Sequence, residues 1–167
     1  MNNNVKSQTP ARRAVAPQSA MKISNFLSAA AVMTDVEVVD KQQLLQLLAR
    51  KAAAMLDMAA DHILVELVKR EQLGSTGMGG GAAIPHARLD QIKKPWGMLV
   101  RLKSPIDFDA VDADLVDIVF LLLLPPTNGE QLGALAGISR KLRDPATAAA
   151  LRQAHDGAEL YRTLTAA

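Results

Sequence analysis

Apolar and polar positions change their period along this chain, and each change marks a different kind of element. From Lys41 to Asp57, the residues Leu44, Leu45, Leu47, Leu48, Ala52, Met55 and Leu56 recur at helical spacing and form one broad apolar face. Asp40 stands where a side chain can cap that helix. A second helical pattern carries Ile63, Leu64, Leu67 and Val68, with Asp61 as its expected cap and Gly74 near its end. The periodicity then stops. Gly74 to Ala87 contains five glycines and no charge, so the chain there is expected to leave helical geometry for a loop.

Beyond that break, Gly97 to Lys103 reads as a strand, and an acidic connection leads to a second strand over 117–124. The run Ile118 to Leu124 has no polar alternation, which predicts a strand buried on both faces. Pro125 and Pro126 end it far short of the roughly 20 residues that cross a bilayer, so no membrane insertion is expected. Gly129 to Leu142 follows as a helix with Leu132, Leu135, Ala136, Ser139 and Leu142 on its apolar side. Asp144-Pro145 stops this helix and starts another, since proline suits a first helical turn, and a last helix lies near Ala158 to Leu164. Helices on either side of a strand-rich middle predict a single α/β domain, without internal repeats.

Composition narrows this picture. The 167 residues are enough for one real core, and with 49% hydrophobic but only 3% aromatic residues the packing must come from Leu, Ala, Val and Ile. The absence of cysteine removes disulfides, thiolate catalysis and cysteine metal sites, and it fits a cytoplasmic protein. Residues 1–34 hold Lys6, Arg12, Arg13 and Lys22 and no acidic residue. Taking those four from the 19 basic residues leaves 15 against 17 acidic ones, so the body carries −2. A body of that charge is no nucleic-acid binder. The basic start lacks an apolar signal core, and Pro10 and Pro17 interrupt any amphipathic helix, so residues 1–20 are expected to be a disordered extension of a domain spanning 21–167.

Most candidate motifs fail on context. Gly77 to Ala82 fits a relaxed dinucleotide fingerprint, but a helix precedes it and Ile84-Pro85 follows where a helix should begin. Asp107, Asp109, Asp112 and Asp114 start like a calcium loop, yet Val111, Asp112 and Ile118 occupy positions that such a loop cannot spare. A solvated connection is the expectation there, with Asp109 still able to serve a site. His62 and His155 have no partner at ligand spacing, so neither metal nor cofactor is expected. His86 is different. It follows a proline and a glycine segment whose N–H groups could cradle an anion, and an exposed neutral imidazole is a nucleophile near neutral pH.

The stretch from Arg70 through Gly74, Ser75, Thr76 and Gly77 to Gly79, followed by Ala83-Ile84-Pro85-His86-Ala87-Arg88, resembles the signature of the fructose/mannitol-type IIA components of the bacterial phosphotransferase system. Pro105 to Ala110 and Val116-Asp117 keep that family's order, and the similarity spans about 21–165, most like its nitrogen-regulatory branch. The resemblance implies a mixed β-sheet flanked by helices on both sides. It also implies that His86 accepts a phosphoryl group from a small histidine-phosphocarrier protein, making the chain a phosphohistidine carrier rather than a turnover enzyme. Its partners would then be that donor and regulatory target proteins that tell the two states apart. A sugar-specific component handing phosphate to a permease domain, and a binding module that has lost phosphorylation, are the alternatives. The oligomeric state is open, a homodimer included.

A phosphoryl group brings on the order of −2 charge and needs donors. Arg70 could supply a cationic fork, and Ser75 and Thr76 could supply hydroxyls; equally, Arg70 could only cap its helix and the other two only shape a turn. Met78 and Ile84 are expected on the partner face. Many members of the family carry a second histidine where this chain has Gln131, whose amide can donate to a phosphoryl oxygen but cannot take up a proton near neutral pH. Gln131→His is therefore expected to change the rate and pH profile of phosphoryl uptake; an unchanged rate and profile would remove Gln131 from the transfer.

Overall fold

The computed structural model describes residues 21–126 and 130–167, without the side chains of Glu130 and Gln131. The extension expected over 1–20 lies outside the described residues. A short 3-10 turn, Ile23–Asn25, leads into β1 (Leu27–Val36), α1 (Lys41–Leu56) and α2 (Ala60–Gln72). Three short strands follow, β2 (Gly77–Gly79), β3 (Ala82–Ala83) and β4 (His86–Arg88), then the long β5 (Trp96–Ile106) and β6 (Val116–Leu124). The chain ends with α3 (Glu130–Arg143), α4 (Pro145–Gln153) and α5 (Gly157–Thr165). No helix among the described residues is long and apolar enough to cross a membrane.

The sheet is mixed, in the order β1-β5-β6-β3-β2, with β4 also on β6. β1 runs parallel to β5, β5 antiparallel to β6, and β3 and β4 both parallel to β6. β1 and α2 pack respectively on α5 and β4, while α1 lies on α2 and α3 on α4, so helices flank the sheet on both sides. The expected α/β domain is the one found. β6 is its spine: every residue from Ile118 to Leu124 is buried, as its unbroken apolar run required.

Local rules held where a side chain settles them. Asp40 caps α1, accepting the Gln43 N–H at 2.8 Å, and Asp144 caps α4, accepting the Thr147 N–H at 3.0 Å with Pro145 in the first turn. Asp61 does not cap α2. That helix starts two residues earlier, after Ala59, and Asp61 sits in the first turn, where its charge faces the positive end of the helix.

Other differences have tertiary causes. β1 was not expected, because Ala29, Ala30 and Ala31 carry little strand preference; it forms through pairing with β5, across a register irregularity between Leu27 and Val32. The apolar side of α3 is rotated. Ala134, Ile138 and Leu142 face the core, whereas Leu132 is 64% exposed and Ala136 faces solvent. Met55 of α1 is likewise largely exposed.

The glycine segment is paired backbone rather than a loop. β2 and β3 form a hairpin whose turn places Gly79, Gly80 and Gly81 at φ of 91°, 66° and 80°, a region open to glycine. It is tied down from two directions. Asp112 accepts the Gly80 N–H at 2.9 Å, and Arg152 donates to the Gly80 carbonyl at 2.9 Å while gripping Asp117. The acidic connection is thus a fastening for the hairpin as well as a solvated link.

Gly97 marks a close approach. A Cβ there would run into the Phe120 ring and lie 3.2 Å from the Phe26 carbonyl. Phe26 and Phe120 meet edge to face, with ring centroids 6.0 Å apart. Gly97→Ala is therefore expected to destabilise the domain by about 1–3 kcal/mol through overpacking, read as a lower midpoint in urea. An unchanged midpoint would mean that Phe120 yields without cost.

Candidate functional site

His86 opens β4, and its position is set by the spine of the sheet. Its backbone is in register with Leu122, the Pro85 carbonyl accepts the Leu122 N–H at 3.0 Å, and the Leu89 N–H donates to the Leu124 carbonyl at 2.9 Å. The ring is half-buried rather than fully exposed, and it lines a cleft of about 360 Å³ between α2, β4 and α3. Leu73, 85% exposed, and Leu132 form apolar walls of that cleft, and Lys69, Arg70 and Arg88 supply positive charge.

Two contacts define the imidazole. Nδ1 lies 2.8 Å from the Ile84 carbonyl, and the Arg70 Nε–H donates to Nε2 at 3.2 Å. A carbonyl can only accept, so Nδ1 carries the proton; a guanidinium can only donate, so Nε2 keeps its lone pair. The ring is held neutral, in one tautomer, with its nucleophilic nitrogen turned toward a cation. Its pKa is accordingly lowered. Loss of hydration on burial is the main cause, helped by the Arg70 and Arg88 charges, while the Ile84 hydrogen bond and the Glu71 carboxylate work the other way.

Arg70 closes its helix, as one of its two expected roles required, and also reaches the ring. Nη1 donates to the Gly74 carbonyl at 2.8 Å, closing the end of α2, while Nε reaches His86. The structure separates the other candidates from the ring. The Ser75 hydroxyl donates to the Phe108 carbonyl at 2.9 Å and accepts the Gly77 N–H, and the buried Thr76 donates its hydroxyl to Glu71 Oε2 at 2.6 Å. Both therefore shape the turn. Ile84 is buried and cannot meet a partner through its side chain; its carbonyl is the part that serves His86. Met78 is partly buried against the core and does not line the cleft. Gln131 belongs to α3, the helix that also brings Leu132 and Leu135 to the cleft, but its side chain lies outside the described residues.

Three contributors were missed in the sequence. Leu132 looked like an ordinary periodic leucine and Leu73 was not singled out; only their exposure sets them apart. Glu71 sits one residue from Arg70, and its buried carboxylate accepts from Lys41 and Thr76. Asp109 joins the same group through Lys41 at 3.2 Å.

The model of the family described as "Phosphoenolpyruvate-dependent sugar phosphotransferase system, EIIA 2" matches residues 25–167. The chain belongs to this family. It is 41% identical over 145 residues to a nitrogen regulatory protein of Bradyrhizobium diazoefficiens, covering 86% of this chain and 95% of that one. The nitrogen regulatory protein of Klebsiella oxytoca is 34% identical over 89% of this chain and 93% of its own. Among solved structures, the nitrogen regulatory protein IIA-Ntr of Neisseria meningitidis superposes with a TM-score of 0.82 at 30% identity, covering 86% of this chain and 99% of that one. The mannitol IIA of Escherichia coli shares the fold, with a TM-score of 0.71 at 16% identity over 83% and 98% of the two chains. The protein is thus a IIA component of the phosphotransferase system.

The geometry around this IIA histidine makes its titration a direct test. In an NMR titration His86 is expected to show its Nδ1–H tautomer and a midpoint below the ordinary 6.5. Arg70→Gln should raise that midpoint, because removing a nearby cation favours the imidazolium. A midpoint that does not move would place the guanidinium elsewhere in solution.

Proposed function

We propose that the chain is a regulatory phosphoryl acceptor, taking its phosphoryl group on His86 Nε2 from the phosphohistidine of a histidine-phosphocarrier protein in the cytoplasm. The observation that carries this reading is the pair of contacts on the imidazole, which leaves Nε2 as a lone-pair nucleophile beside a guanidinium. Phosphoryl transfer asks for in-line positioning and stabilisation of spread negative charge, and little else from the protein. The Nε2 lone pair forms the new P–N bond as the donor's P–N bond breaks, and that bonding pair returns to the donor ring. The proton stays on Nδ1 throughout, donated in a hydrogen bond to the Ile84 carbonyl, so no general base is needed. The positive charge that develops on the ring strengthens that same hydrogen bond.

Arg70 and Arg88 offer charge to the incoming phosphoryl oxygens, Lys69 being paired with Glu66 at 3.1 Å, and Leu73 and Leu132 offer an apolar surface for a docking partner. A group of on the order of −2 charge arriving between those features changes what the cleft can bind, which makes the phosphorylated and free forms different ligands for target proteins. The 41% and 34% identity to nitrogen regulatory proteins favours a regulatory role over delivery to a sugar permease.

Incubation with phosphoenolpyruvate and the upstream phosphocarriers is the test. Wild type is expected to take up one acid-labile label and His86→Ala none. Wild type without label, or label that survives in His86→Ala, would overturn the reading.

A further inference from the structure

α2 ends in a turn held by a buried carboxylate. Glu71 has only 7% of its side chain exposed, and both its oxygens are engaged. Oε1 accepts from Lys41 Nζ at 3.0 Å and from the Thr76 N–H at 3.0 Å, and Oε2 accepts from the Thr76 hydroxyl at 2.6 Å. Such charge-assisted bonds are the strong ones, and burial keeps water from replacing them. They close a ring of chain from Glu71 to Thr76, and Gly74 lies inside that ring. The Gly74 carbonyl in turn receives Arg70 Nη1, whose own Nε then points at His86 Nε2.

Lys41 completes the support. It pairs with Asp109 at 3.2 Å and sits 4.9 Å above the Phe108 ring, while the Phe108 carbonyl holds the Ser75 hydroxyl. The turn is therefore gripped on both sides. Glu71, which makes no hydrogen bond to the imidazole, is thus linked through Thr76 and the turn at Gly74 to the guanidinium bonded to that ring.

We propose that Glu71 is a positioning residue for phosphoryl transfer at His86, acting through Thr76 and the Gly74 carbonyl to aim Arg70 at Nε2. The transfer part of this rests on the phosphoacceptor function proposed above; the hold of Glu71 on Arg70 does not. Glu71→Gln removes the charge that Lys41 and the Thr76 hydroxyl bond to, so the charge-assisted bonds closing the ring weaken and the anchor of Arg70 loosens. Misplacement of a positioning group by about 1 Å can cost on the order of a hundredfold in rate.

Two measurements on the full chain test the proposal. The first is phosphoryl uptake from the phosphocarrier. The maximal rate of Glu71→Gln and of Thr76→Val should fall by about ten- to a hundredfold, with the KM for the donor changed less than about twofold, because the apolar docking walls are untouched. Thr76→Ser restores the hydroxyl and should recover most of the rate lost in Thr76→Val. The second is the ¹⁵N resonance of His86 Nε2, which should shift in Glu71→Gln and Thr76→Val as the Arg70 hydrogen bond is lost, and should return in Thr76→Ser. A loss that falls on KM alone, an unmoved resonance, or a Thr76→Ser variant no better than Thr76→Val overturns the proposal, and the Thr76 pair decides it if Glu71→Gln does not fold. A wild type that takes no label defeats the acceptor function instead, and the resonance still decides whether Glu71 holds Arg70.

Discussion

A strand buried on both faces has no water to turn to, so its N–H and C=O groups need partners in neighbouring chain. β6 is such a strand, and this requirement organises the domain. One of its edges is served by β5, and the other by two short stretches of backbone, β3 and β4, drawn from the glycine segment. The second of those stretches begins at His86. The candidate site thus stands on backbone paired with the buried spine of the sheet, where His86 is in register with Leu122. Sites built on strands hold their geometry more closely than sites built on loops.

Around that fixed ring the supporting groups come from elements distant in sequence. Lys41 starts α1, Arg70 and Glu71 end α2, Phe108 and Asp109 lie between β5 and β6, and Leu132 belongs to α3. The apolar core brings these segments together, and a few charge-assisted bonds set their final positions. The hairpin before His86 follows the same logic, since Asp112 and Arg152 fasten its glycines from outside. Five of the ten glycines stand between Gly74 and Gly81, yet the backbone there pairs as a hairpin.

How much of this was legible beforehand depends on the range of the interaction. α1 could be read because its cap and its apolar face are local, and β6 because an unbroken apolar run has few other uses. His86 and Arg70 stood out through a long motif whose spacing carries chemistry. β1 could not be read, since its alanines become a strand only when β5 pairs with them. Leu132 was assigned to the core because periodicity tells one helix face from another but does not say which neighbour each face meets. Thr76 was offered to the phosphoryl group because a hydroxyl near a histidine in sequence invites it; the turn carries that hydroxyl to Glu71 instead.

The guanidinium of Arg70 has one further consequence. It fills the lone pair of Nε2 and the Gly74 carbonyl at once, and no other arrangement among the described contacts competes for those N–H groups. Whatever takes the Nε2 lone pair, a proton or a heavier electrophile, must therefore displace the Nε–H and leave that donor without its acceptor beside the turn. A protein docking across Leu73 and Leu132 would then meet a guanidinium whose hydrogen bonding depends on what the neighbouring nitrogen carries.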